Sequence, residues 1–202
     1  NGTPVQIHLS AEHTSHPAPS RHPPPFTPRP RLDARERARL EQARAREDSL
    51  DRLVEWPAQR ELLGDVTGLA VLDAGCGNGA KVAQLADEGA AACVGVDISG
   101  NFIAPPPGVE FIQGDLSDLS VLPGMTGRRF DRVLFLQSFG YATDPVHALR
   151  VAASMLTDAG FILLTRTQPV RYAIERAEQN RTSLGQEYFA TESFAYRHAN
   201  WD

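Results

Sequence analysis

Val71-Leu72-Asp73-Ala74-Gly75-Cys76-Gly77-Asn78-Gly79-Ala80 decides how the rest of the chain reads. A short apolar run closes on an aspartate and then meets three glycines at alternate positions. Such a run, bounded by glycine, is a buried strand, and the glycines let the backbone turn sharply and approach a ligand closely. Residues 78–88 then place Val82, Leu85 and Ala86 on one helical face, with Gly89 as the stop. Strand, glycine turn and helix follow one another without a break.

The same alternation continues outward. Residues 69–73, 92–97, 109–113, 130–136 and 161–165 read as five apolar strands, with Asp158-Ala-Gly160 as the turn into the fifth. Asp144-Pro145 is an N-cap followed by a first-turn proline, opening a helix with Leu149, Ala152, Ala153 and Leu156 inside. Val170, Ala173, Ile174 and Ala177 mark another helix. Strands apolar throughout and alternating with helices predict an α/β fold: a doubly wound, mostly parallel sheet with helices on both faces.

The N-terminal part has a different composition. Residues 1–30 hold eight of the fifteen prolines and four of the six histidines, and read as an extended, disordered arm. His8, His13, His16 and His22 are irregularly spaced with no cysteine or carboxylate pattern, so no metal site is expected. Residues 31–64 read as N-terminal helices, with Asp33–Arg37 and Asp48–Arg52 spaced i,i+4. Leu50, Leu53 and Val54 form an apolar patch expected to dock on a core; Pro57 restarts the helix and Gly64 closes it. The core domain is then 65–202.

Twenty basic against 25 acidic residues give a formal net charge of −5, which argues against bulk nucleic acid as partner. Eight arginines within 31–60 are interleaved with seven acids and read as a solvated face. Two cysteines, Cys76 and Cys93, make no disulfide framework and point to a reducing, cytoplasmic setting. No apolar run approaches the roughly 20 residues of a membrane span, and no secretory leader opens the chain.

In open α/β sheets ligands bind beyond the carboxyl ends of the strands, here at the glycine turn. Gly75, Gly77 and Ala80, with Asp97 about 20 residues on, also satisfy a loose dinucleotide pattern, so a nicotinamide-dependent oxidoreductase is the rival class. Charge separates the two. Asp73 at the same turn would oppose a pyrophosphate by about 4 kcal/mol at 4 Å and an effective dielectric of 20. A ligand with an ammonium and a sulfonium would be attracted. Asp97, ending the second strand, can accept from both hydroxyls of a ribose, and Asp115, after the third, from an adenine amino group.

Val71-Leu-Asp-Ala-Gly-Cys-Gly-Asn-Gly79 resembles the Asp-x-Gly-x-Gly-x-Gly loop of class I S-adenosylmethionine-dependent methyltransferases. Val94-Gly-Val-Asp97-Ile98-Ser99 is similar to that family's ribose motif and Gly114-Asp115-Leu116 to its adenine-edge motif. Phe130-Asp131-Arg-Val-Leu resembles its fourth strand, Met155-Leu-Thr-Asp-Ala-Gly160 the turn before its fifth, and Asp51-Arg-Leu-Val-Glu-Trp-Pro57 the helix ahead of the core in the small-molecule branch. The likeness spans residues 50–165. It implies a Rossmann-like fold, S-adenosylmethionine as cofactor with S-adenosylhomocysteine as product, and a small-molecule methyl acceptor. The implied cofactor contacts are Asp73, Gly75, Cys76, Gly77, Gly79, Asp97, Ile98, Asp115, Leu116 and Gln137, with Tyr141 as a substrate contact. A non-catalytic S-adenosylmethionine-binding protein is the further alternative.

The chain departs from the family in three places. Pro105-Pro106-Pro107 leaves no room for a helix between the second and third strands, so that crossover is a bare loop or a shortened one. Only 37 residues follow Thr165, and residues 193–201 supply one strand of a C-terminal pair that is otherwise incomplete, as in a truncated chain. Many relatives carry a histidine near Gly140; this chain has none, so no catalytic residue is assigned, and His147 reads as a surface histidine. DNA amino-methylation is disfavoured because Gln-Ser-Phe-Gly140 stands where that subclass has Asn/Asp-Pro-Pro-aromatic. Cys76 has no histidine partner nearby in sequence and reads as a packing residue. Oligomeric state and acceptor are open.

Overall fold

The computed structural model describes residues 49–166 and 169–189, with Asp33, Arg35, Glu36, Ala38, Arg39 and Gln42 ahead of them. The arm 1–30 and the strand expected at 193–201 lie outside the described residues. So do Arg37 and Asp48, one partner of each expected i,i+4 pair. Asp33 and Glu36 cap each other, each backbone N–H donating to the other's carboxylate at 2.8 Å.

Asp51–Glu55 form a π-helical turn that runs into α1, Trp56–Leu63. Pro57 has no N–H for the Leu53 carbonyl, and the chain widens ahead of it. Gly64 ends α1 at φ 71°. The expected docking of Leu50, Leu53 and Val54 is not found: they are 67%, 61% and 57% exposed. Trp56, Gln59 and Leu63 face inward instead.

Five parallel strands follow: β1 (Ala70–Ala74), β2 (Ala92–Asp97), β3 (Val109–Gln113), β4 (Phe130–Leu136) and β5 (Leu156–Thr165), in the order β3-β2-β1-β4-β5. The connection reverses direction between β1 and β4. Alternate residues serve opposite faces. Leu72, Ala74, Val94, Val96, Val133 and Phe135 join Ala148, Val151 and Ala152 of α3 (Pro145–Ser154) on one face. Val71, Cys93, Leu134 and Leu136 meet Leu63 of α1 and Val82 and Leu85 of α2 (Ala80–Asp87) on the other. The expected doubly wound architecture, with helices on both faces, is the observed one.

Three expectations need correction. Ala153 is exposed and Leu156 starts β5 rather than closing α3; Ala148 and Val151 take the inner positions. Asp158-Ala-Gly160 is no separate turn but lies within β5, where the register slips between the pairs Phe130–Leu156 and Arg132–Phe161. In α4 (Pro169–Asn180) Ala173 is buried as expected, but Ile174 is exposed. The inner position belongs to Arg176, whose Nε donates to Glu187 of α5 (Leu184–Tyr188) at 2.7 Å. An apolar period identifies a face, and a paired arginine can occupy it equally well.

Residues 98–108 contain no helix, as the three prolines required. The loop is fastened in two ways. The Phe102 ring stacks on Phe111 of β3 at 4.9 Å and 12°, and Ile103 N–H donates to the Asn78 carbonyl at 3.0 Å.

Candidate cofactor site

The carboxyl ends of β1, β2 and β4 bring the glycine turn, Asp97 and Gln137 to one edge of the sheet. Gly75, Gly77 and Gly79 have φ of 86°, 61° and 85°, the left-handed region that side chains resist. Gly75 also lacks room: an added Cβ would lie 2.3 Å from Cβ of Ser138. At Gly79 it would meet the Phe111 ring at 2.2 Å. Gly77 differs, because a Cβ there would meet nothing within 4 Å. The outer turn of the loop therefore faces open space while its two ends are packed.

Asp97 ties this turn to β2. Its Oδ2 accepts from Gly77 N–H at 2.9 Å and its Oδ1 from Ser99 N–H at 2.8 Å. Each carboxylate oxygen keeps a lone pair for a further donor. Gly75 and Cys76 donate their N–H groups to the Val96 carbonyl at 2.7 and 3.0 Å, and the Cys76 carbonyl accepts from Gly79 N–H at 3.1 Å. The backbone of Cys76 thus ties the turn to β2 through its N–H and closes the turn through its carbonyl. Its thiol lies under Gly95, where a Cβ would sit 2.8 Å from Sγ. Burial, and then the Asp73 and Asp97 carboxylates, push that thiol far above its usual range, so it stays protonated.

Asp73 is 2% exposed and pairs in register with Gly95 and Leu134. It lies in the floor of the turn rather than at its mouth. Ile98, beyond Asp97, is partly exposed, and Leu116 is buried. Asp115 caps the turn that follows β3, its Oδ1 accepting from Ser117 N–H at 2.9 Å. Ser117 Oγ in turn accepts from Thr143 N–H and Oγ1 at 3.0 and 2.9 Å, which joins the Asp115 turn to the segment after β4. Gln137 adopts φ 61°, rare for a residue with a side chain, and its N–H donates to the Thr165 carbonyl at 3.1 Å. Tyr141 is half-buried in the short 3-10 turn Phe139–Tyr141.

His147 holds its ring Nε2 3.0 Å from Asp118 Oδ2 on the surface. Among the described residues no group of three or more His, Cys, Asp or Glu side chains could hold a metal.

Sequence reasoning missed Ser138. Its Oγ donates to the Ala74 carbonyl and it is 6% exposed, so it binds the ends of β1 and β4 together at the point where strand order reverses. A serine inside an otherwise apolar junction was the available signal. Gln59, Lys81 and Asp51, a polar cluster beside the glycine turn, carried none.

An open glycine turn flanked by carboxylates, at the reversal point of a parallel sheet, defines a Rossmann-like ligand-binding domain. Residues 72–164 match a family model described as a methyltransferase domain. An S-adenosylmethionine-dependent methyltransferase from Mesorhizobium loti is 27% identical, with a TM-score of 0.53, over 62% of this chain and 59% of that one. The plantazolicin methyltransferase BpumL, in complex with a triazolic desmethylPZN analogue and SAH, shares the fold. It is 19% identical, with a TM-score of 0.55, over 77% of this chain and 62% of that one. The chain thus spans less than two thirds of either relative's length. No curated protein matches it.

Proposed function

We propose that the chain is an S-adenosylmethionine-dependent methyltransferase acting on an O, N or C nucleophile of a small molecule. The observation that carries this reading is the Asp97 carboxylate, held to Gly77 at the tip of a turn that faces open space. The donor set fits the cofactor. Asp97 keeps acceptor capacity for a ribose diol, and Ile98 and Leu116 offer apolar surface to the adenine. Asp115, which caps the turn after β3, would accept from its amino group. Asp73 places negative charge beneath the methionine end, where Gln137 presents backbone. Gly75, Gly77 and Gly79 allow close approach; Cys76 supports the turn by packing.

The cofactor, when bound, supplies an electrophilic methyl on a good leaving group. The chain's own task is to align an acceptor and exclude water, for which Tyr141 is the proposed substrate contact. No side chain is assigned as general base. The nicotinamide reading is disfavoured by the buried Asp73 and by the first amide of α2: Ala80 N–H, which a phosphate at the helix start would need, already donates to Asn78 Oδ1 at 3.0 Å. The free cysteines support a cytoplasmic setting.

The test is incubation of the full chain with methyl-tritiated S-adenosylmethionine and a panel of small-molecule acceptors. Label transferred to an acceptor supports the reading. Binding of S-adenosylhomocysteine without transfer to any acceptor supports the non-catalytic alternative. Binding of NAD alone supports the oxidoreductase.

A further inference from the structure

Lys81 is the second residue of α2, directly after the glycine turn, where the helix dipole disfavours a cation. It is held there from the N-terminal segment. Its Nζ lies 2.7 Å from Asp51 Oδ1 and 3.2 Å from Gln59 Oε1, and 5.0 Å above the Trp56 ring. The Asp51 side chain is 14% exposed in this pair. Gln59 is almost fully buried and continues the chain of contacts, its Nε2 donating to Thr165 Oγ1 at 3.0 Å. The Thr165 carbonyl accepts the Gln137 N–H. One polar path therefore runs from Asp51, past the start of α2, to the tips of β5 and β4. It touches both flanks of the site described above.

We infer that Asp51 is a positioning residue of the cofactor site, neutralising Lys81 so that the mouth of the glycine turn stays attractive to a cationic cofactor. The inference rests on the methyltransferase reading and deepens it. An uncompensated ammonium at the first turn of α2 repels a sulfonium through a partly buried, weakly screened path. S-adenosylhomocysteine has the same shape without the methyl and without the sulfonium charge. The ratio of the two affinities therefore reports charge at the site and is insensitive to general loosening of the fold.

The test is calorimetric titration of the full chain with S-adenosylmethionine and with S-adenosylhomocysteine. Asp51→Asn keeps the acceptor oxygen and removes the charge. It is expected to weaken S-adenosylmethionine at least threefold more than S-adenosylhomocysteine, and Asp51→Glu to recover the ratio. Lys81→Met leaves Asp51 uncompensated and shifts the ratio the other way. The double variant Asp51→Asn/Lys81→Met restores the wild-type ratio, which keeps the test decisive if one single variant is unstable. An identical ratio in wild type, Asp51→Asn and Lys81→Met overturns the inference while leaving the methyltransferase reading intact. Failure of the wild type to bind either ligand overturns that reading, and the inference with it.

Discussion

Gly77 donates its backbone N–H to Asp97 Oδ2 at 2.9 Å, which fastens the open tip of the glycine turn to the end of β2. The residue proposed to hold the ribose also fixes the loop proposed to lie against the rest of the cofactor. Asp97→Ala should therefore cost more than the lost ligand contacts. Each charge-assisted hydrogen bond contributes about 1.5–3 kcal/mol, so S-adenosylhomocysteine affinity is expected to fall at least tenfold. Hydrogen exchange at Gly77 should accelerate in the same variant without ligand. Unchanged calorimetric affinity would remove Asp97 from the site.

The close approach of Gly75 to Ser138 gives a prediction with a built-in control. Gly75→Ala combines a left-handed φ with a clash against the Ser138 side chain, and should destabilise the fold by about 2–4 kcal/mol. Removing the obstacle in Gly75→Ala/Ser138→Gly should recover part of that loss. Gly77→Ala, at φ 61° but in open space, should cost only about 1 kcal/mol. Thermal or urea unfolding of the three variants checks the order. Equal losses at Gly75 and Gly77 would show that Ser138 does not press on the turn.

Cys76 lies under the turn with its thiol protonated, so it should react slowly with a thiol reagent at about pH 8 while the protein is folded. Burial also pushes Cys93 up to about 11. Stopped-flow labelling should show both thiols reacting only on unfolding. Cys76→Ala should bind S-adenosylhomocysteine within about twofold of wild type, since the thiol packs under the turn and its one polar contact, to the Gly77 carbonyl at 3.8 Å, is weak. Rapid labelling of native Cys76 would contradict its placement.

The α4–α5 pair should be acid-sensitive. Glu187 accepts from Thr182 Oγ1, Arg176 Nε and Asn180 Nδ2, and these bonds hold its carboxyl down to about 2, below the usual 4.5. A depressed carboxyl contributes stability that is fully present above about pH 4.5 and is lost as pH falls toward 2. Hydrogen exchange of peptides covering α4 and α5 should accelerate across that window, and Glu187→Gln should remove the dependence. Exchange independent of pH below 4.5 in wild type, after correction for intrinsic rates, would show that the clasp does not hold the pair.

Within the described core, the strands were legible because parallel strands are buried on both faces. Val71-Leu72, Val94 and Leu134-Phe135-Leu136 need no periodicity to be recognised, only glycine or aspartate at their ends. The glycine turn and Asp97 were legible for a related reason: their chemistry is local to one stretch of chain. What failed depended on partners distant in sequence. Leu53 and Val54 show an apolar face without showing whether anything covers it, and they are exposed. Ile174 lost the inner position of α4 to Arg176 because Glu187 lies across from it, eleven residues on. The Ser138–Ala74 contact spans 64 residues and the Gln59–Thr165 contact 106, distances over which neither spacing nor composition carries a signal.

Asp73→Asn decides whether the glycine turn takes a cationic nucleoside or a pyrophosphate. The change keeps the side-chain shape in the floor of the turn and removes the charge. Thermal-shift titration of wild type and variant with S-adenosylmethionine and with NAD gives opposite signs for the two classes. For a methyltransferase, S-adenosylmethionine stabilises the wild type, binds the variant more weakly by about 1–2 kcal/mol, and NAD stabilises neither protein. NAD stabilising the variant, with S-adenosylmethionine stabilising neither, would contradict the account.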